Sequence, residues 1–282
     1  MLLGALGVLA FSFSLPATRL AVGGLDPWVV AFGRATGAGV LAAAYLSGMG
    51  ASRPNAGQLG RLLLVAAGVV VGFPLFSSLA LTEQTASHGA VVVAILPAAT
   101  AVFAVLRGGE RPSRRFWLAA SASFAAVLGF VAVSGGLGGG FHLADLWLLV
   151  AATAGGLGYA EGGALSRELG GPRTICWALV VSLPVTATVS AVLVSQRGVA
   201  GATGSAWLGF AYVTTVSMFL GFFPWYAGLA RGGVARIGQV QSLQPVLTLG
   251  WSALLLGEYV TAPTVLVAVV VLGCVFLTQR AR

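Results

Sequence analysis

Apolar residues run through this chain in ten stretches of about twenty, divided by short gaps where Arg, Pro, Gly and Asp collect. At 1.5 Å rise per residue, about twenty helical residues cross a ~30 Å hydrocarbon layer. The pattern predicts spans over 2–22, 27–48, 59–81, 86–107, 115–134, 143–165, 173–195, 205–230, 235–257 and 262–279. Lipid cannot satisfy backbone polar groups, so only helices and closed barrels cross it. Barrel strands would alternate apolar and polar residues over ~10 positions. These runs are longer, do not alternate, and are rich in Ala, Leu, Val and Gly. The expected fold is an all-α integral membrane protein of ten transmembrane helices with no soluble domain. The first run starts at Leu2 without a basic segment before it or a small-residue cleavage site, and is expected to stay as the first helix.

The polar and helix-breaking positions repeat. Ala80-Leu81 through Glu110 aligns with Gly228-Leu229 through Glu258 at a constant offset of 148, which sets Pro97 on Pro245, Thr100 on Thr248 and Glu110 on Glu258. Val127-Leu128-Gly129 then matches Val271-Leu272-Gly273, Pro27 matches Pro172 at offset 145, and Phe73-Pro74 roughly matches Phe223-Pro224. Two five-helix halves are expected, residues 1–135 and 141–282. Five is odd, so the second half enters the bilayer upside down. Inverted repeats recur in secondary transporters, with the substrate site near the midplane between the halves.

Composition agrees. Hydrophobic residues make up 58% and charged residues 8%, against about 25% charged in soluble domains, and the mean hydropathy is +0.96. The net charge of +8 comes from fifteen Arg and no Lys, set in the short gaps. That distribution marks topology and builds no phosphate-binding groove, so nucleic acid is excluded as a partner. Twelve of the fifteen, among them Arg53, Arg61, Arg107, Arg111 and Arg167, fall after even-numbered spans or at the C-terminus. The positive-inside rule then puts both termini in the cytoplasm. Cys176 and Cys274 lie inside apolar runs and read as small buried hydrophobes, with no disulfide framework.

The order and spacing of several short motifs resemble the EamA-type branch of the drug/metabolite transporter superfamily over nearly the whole chain. They are Phe11-Ser12-Phe13, Arg34, Ala80-Leu81, Leu96-Pro97 and Gly109-Glu110-Arg111, then Gly228-Leu229, Gln244-Pro245 and Gly257-Glu258-Tyr259. The resemblance implies a monomer-sized or weakly associating exporter in a bacterial inner membrane, moving amino acids, aromatic ones included, or similar metabolites. It also implies a cavity lined by spans 1, 3, 4, 6, 8 and 9. Phe11 stands where many relatives have Trp, and no Arg follows Gly257-Glu258.

Several residues are candidates for chemistry. Glu161 lies 16 residues past Asp145, ~24 Å along a helix, inside the hydrocarbon toward the cytoplasm. An ionised carboxylate there costs roughly 3 kcal/mol unless paired or wetted. It either meets a substrate ammonium or couples protons, or it pairs with a cytoplasmic Arg. Arg34, seven residues past Pro27 and so ~10 Å below the outer edge, either forks onto a substrate carboxylate or snorkels and ties its helix to neighbours. Gln239, Gln241, Ser242 and Gln244 precede Pro245, which frees the carbonyl of Gln241 as Pro97 frees that of Val93. This polar stretch is either a pathway wall, with Pro97 and Pro245 as bending points, or a bundle seam. Phe73, Phe76, Phe222, Phe223, Trp225 and Tyr226, with Tyr159, Ser12, Ser14, Ser77 and Ser78, make up an amphipathic pocket or, in part, an aromatic belt. His88, near the outer start of span 4, is an interface residue or a proton relay. Glu110 and Glu258, at the ends of spans 4 and 9, close the mouths or cap helices.

No H-E-x-x-H, no G-x-S-x-G and no His or Cys cluster occurs, so catalysis, metal and cofactor are not expected. The leading expectation is a secondary carrier of small amphipathic metabolites. The alternatives are an exporter of lipophilic cations, which needs an available carboxylate such as Glu161, and a non-transporting scaffold.

Overall fold

The computed structural model describes residues 1–108 and 142–280 and, between them, 113, 114, 117, 118, 121, 122 and 124–126. Glu110, Arg111 and most of the expected span 115–134 lie outside these residues, as do the side chains of Gln239, Ser242 and Cys274. Seven described helices are long and apolar enough to cross a membrane: α1 (Leu2–Val22), α2 (Pro27–Gly48), α3 (Ala56–Glu83), α4 (Ala86–Arg107), α5 (Leu143–Leu169), α6 (Gly171–Arg197) and α7 (Gly204–Gly232). The expected span 235–257 is broken into a short helix α8 (Val234–Gly238), a 3-10 turn (Gln239–Leu243) and α9 (Gln244–Leu256). A last helix, α10, covers Ala262–Arg280.

Local chemistry sets the helix starts. Asp26 accepts from the amides of Trp28 (2.9 Å) and Val29 (3.3 Å), with Pro27 at the first helical position. Asn55 and Gln58 exchange bonds of 2.9 and 3.1 Å in a capping box that starts α3. Gly170 and Gly233, both at φ 84°, turn the chain between α5 and α6 and between α7 and α8.

The prolines explain where the helices depart from regularity. Two seven- or eight-residue π segments, Ala66–Gly72 and Val213–Leu220, stand just before Pro74 and Pro224. A proline leaves the carbonyl four residues back without its helical donor, and a wide turn accommodates the fault. The Phe-Pro pairs that match in sequence therefore match in backbone shape. Helix α4 is interrupted at Ala94-Ile95, before Pro97, and the 3-10 turn stands before Pro245. In α1, Pro16 frees the carbonyl of Ser12, which takes a 2.8 Å bond from the Thr248 hydroxyl of α9.

Packing follows the same correspondence. Helix α1 packs on α7 and α9, α5 packs on α3 and α4, and α2 packs on α6. Exchanging α1 with α5, α2 with α6, α3 with α7 and α4 with α9 maps this set onto itself. Small residues permit the close approaches, as expected where lipid supplies no hydrophobic drive between helices. A Cβ on Gly68 of α3 would stand 2.5 Å from the Ala154 carbonyl oxygen of α5, and one on Gly7 would stand 2.8 Å from Cβ of Trp225.

Candidate functional site

Between the halves lie two small voids, each with room for about one or two waters in this conformation. The first is bordered by Phe11, Ser14, Arg34, Phe73, Tyr159 and Ser217. The second is bordered by Leu15, Pro97, Gln241, Pro245 and Thr248. Gln244 borders both.

Each polar group arrives there for a local reason. Ser14 follows the break in α1 at Phe13, and Ser217 sits in the π segment of α7. Their hydroxyls are 2.7 Å apart, and Nη2 of Arg34 donates to Ser217 Oγ at 3.1 Å. Arg34 is 2% exposed. Its Nε and Nη1 have no partner. Gln241 donates to Gln244 Oε1 at 3.3 Å, while its own Oε1 is buried without a partner. Aromatic rings complete the wall: Phe11 meets Phe222 at 4.9 Å and Tyr159 at 6.1 Å between centroids, and Tyr159 meets Trp225 at 5.3 Å.

The structure thus gathers Tyr159, Phe73, Gln241, Gln244, Pro97 and Pro245 around the voids. Trp225 and Tyr226 are fully buried behind that wall. The Tyr226 hydroxyl is committed to the Gly158 carbonyl at 3.0 Å. Ser12 donates to Leu9 O at 2.7 Å and accepts from Trp251 Nε1 at 3.0 Å, and Ser77 bonds the Phe73 carbonyl at 2.6 Å. Phe76 is half-buried and borders neither void. Ser217 escaped the sequence reading; a serine in an apolar run gives no signal until its partner is known.

Charged groups close the two ends. Glu161, 4% exposed, is held by Arg61 and Arg107, and Arg61 also reaches Glu168 at 2.5 Å. Arg61 stands early in α3 and Arg107 ends α4, so this cluster marks one mouth. At the start of α4, ~28 Å along the helix from Arg107, His88 Nε2 lies 2.6 Å from Asp145 Oδ1. Nearby, Glu258 accepts from the amides of Ala86 and Ser87, both at 2.8 Å, and caps α4. Asp26 is paired with Arg197. Every ion pair among the described residues joins residues 1–108 to residues 142–280.

Two small voids bordered by polar groups between matched helical sets, with ion pairs toward each end, fit the anatomy of a membrane carrier. The chain belongs to the EamA-like transporter family, whose model matches it twice, at residues 1–132 and 142–279. It is a multi-pass membrane transporter and not an enzyme. Among curated proteins it is 46% identical over 277 residues to the uncharacterized transporter YdeK of Bacillus subtilis strain 168, covering 98% of this chain and 96% of that one. A protein crystal structure superposes with a TM-score of 0.69 over 99% of this chain and 96% of its own at 19% identity, a likeness of fold alone.

Proposed function

We propose that the chain is a secondary exporter of amino acids or similar small amphipathic metabolites, working by alternating access between two inverted five-helix halves. Ten spans, both termini in the cytoplasm of a bacterial cell and a monomeric or weakly associating carrier complete this reading. The observation that carries it is the pair of voids, the chamber on this reading, where guanidinium, hydroxyl and amide groups face aromatic rings, with ion pairs toward both ends. Polar groups of that kind are costly in lipid and concentrate along substrate paths. The self-mapping helix contacts and the paired proline faults support two equivalent halves that rock against each other. Loops rich in Arg put the Glu161 mouth on the cytoplasmic side.

The lipophilic-cation alternative needs an available carboxylate in the chamber. Glu161 is instead held by two arginines, so the metabolite reading is favoured. The same two arginines leave Glu161 poorly placed to shuttle protons; the His88–Asp145 pair is the better candidate for coupling. Counterflow uptake of a radiolabelled amino-acid panel into proteoliposomes tests the proposal. Saturable uptake, lost in Gln241→Ala, is expected. A folded protein that takes up no member of the panel overturns it.

A further inference from the structure

We infer that Arg34 anchors a carboxylate, so that the solutes the chamber accepts are carboxylate-bearing metabolites. The inference rests on the carrier reading above and narrows it to a substrate class. A guanidinium is always charged and carries five N–H donors in a fixed fork. In Arg34 one nitrogen is bonded, to Ser217, while Nε and Nη1 lie buried without a partner at the edge of the chamber. Snorkelling does not explain it, because the side chain is 2% exposed. A tie between helices does not explain it either, since a structural arginine at this depth satisfies its donors.

No side-chain carboxylate buried among the described residues is free to serve. Asp26 is paired with Arg197, Asp145 with His88, and Glu161 and Glu168 with Arg61. Glu258 caps α4, and Glu83 is exposed at the end of α3. Glu110 lies outside the described residues.

Nε and Nη1 lie on different edges of the guanidinium; a carboxylate takes one of them together with the second N–H of Nη2, in two parallel charge-assisted bonds. The rest of the chamber fits the remainder of such a solute. Phe11, Phe73 and Phe222 offer apolar surface in the same void, and across Gln244 the neighbouring void is bordered by Gln241, whose Oε1 is a buried acceptor without a partner. Lipid headgroups are excluded by the burial of Arg34, which leaves small solutes entering through the chamber.

The test compares matched solutes on the purified full-length protein, by thermal unfolding and by counterflow in proteoliposomes. The probes are phenylalanine, phenylalaninamide, phenethylamine and 3-phenylpropionate, the leucine counterparts, and inorganic phosphate. Acids are expected to bind better than the amide or amine by roughly 10- to 100-fold, the worth of charge-assisted bonds. Arg34→Gln should bring acid and amide level. Ser217→Asp should set a tethered carboxylate on the guanidinium, raise thermal stability and block the acids; it keeps the test sharp where Arg34→Gln fails to fold. Equal treatment of acid, amide and amine by the wild-type protein overturns the anchor, as does a preference for acids that survives in Arg34→Gln, or stabilisation by phosphate alone. Saturable uptake without preference for acids overturns the anchor and leaves the carrier standing. Stabilisation by acids with no uptake keeps the anchor and overturns the carrier, and neither response to any probe overturns both.

Discussion

Glu161→Gln removes the charge on which Arg61 and Arg107 converge, and with it the main fastening of one mouth. Breaking a fully buried ion pair costs about 3–5 kcal/mol, and an exposed one is worth about 0.2–1 kcal/mol. Glu161 is buried at 4% exposure, but Arg61 and Arg107 are 31% and 42% exposed, so solvent screens both pairs. Glutamine also keeps one acceptor oxygen. An intermediate loss of about 1–3 kcal/mol follows for the closed form of that mouth, a shift of roughly 5- to 150-fold toward the open form. The assay is thiol labelling of a cysteine at Val69, beside Arg34 and Tyr159 in the chamber, with Cys176 and Cys274 replaced. A membrane-impermeant reagent applied from the Glu161 side should label Glu161→Gln at least fivefold faster than the parent. Labelling from the opposite side should slow. An unchanged rate from the Glu161 side, in a protein that still unfolds cooperatively, would refute the idea that these pairs hold the mouth shut. Slower labelling there would reverse it.

The opposite mouth should respond in the opposite sense. Asp145→Asn, which removes the carboxylate charge at the 2.6 Å contact to His88, is expected to speed labelling from the His88 side by several-fold; no change would leave Glu258 and the Arg197–Asp26 pair as the fastening. Pro245→Ala offers the Gln241 carbonyl, which now accepts from the Gln244 amide in the 3-10 turn, a helical donor four residues on, and should slow counterflow while leaving thermal stability equal or higher; an undiminished rate would mean that α9 does not bend there. Gly68→Ala forces a methyl to 2.5 Å from the Ala154 carbonyl and should lower stability by about 1–3 kcal/mol, read as a fall in the unfolding midpoint. Glu258→Ala removes the two amide bonds that start α4 and should cost about 1–2 kcal/mol by the same measurement.

Hydropathy alone located most of the helices. The expected 2–22, 27–48 and 86–107 coincide with Leu2–Val22, Pro27–Gly48 and Ala86–Arg107. The reason is physical: caps such as Asp26 and Asn55 act within one turn, and lipid fixes the length. The break inside 235–257 was foreshadowed by Pro245, but its form, a 3-10 turn, depends on neighbours. The π segments were invisible, because a wide turn is a response to a proline some residues further on and leaves no pattern of its own. Partner choice was least legible. Glu161 was open between substrate and arginine until α3, α4 and α5 were brought together, since fifteen arginines offer no ranking by sequence distance. Arg34 was open between two roles for the same cause, and what separates them is the accounting of its nitrogens.

The bond from Thr248 to the carbonyl that Pro16 frees reaches from one half into the other, and so does the contact of Trp251 with Ser12. A first half inserted alone would bring the Ser12 carbonyl into hydrocarbon without that donor. On the proposed topology it would reach satisfaction only by meeting a second copy lying the other way up. Joining the two in one polypeptide fixes both their ratio and their mutual orientation at synthesis. It also lets the copies drift apart in sequence, so that one keeps Arg34 and the other the glutamines before Pro245, and the chamber becomes lopsided where its scaffold is not.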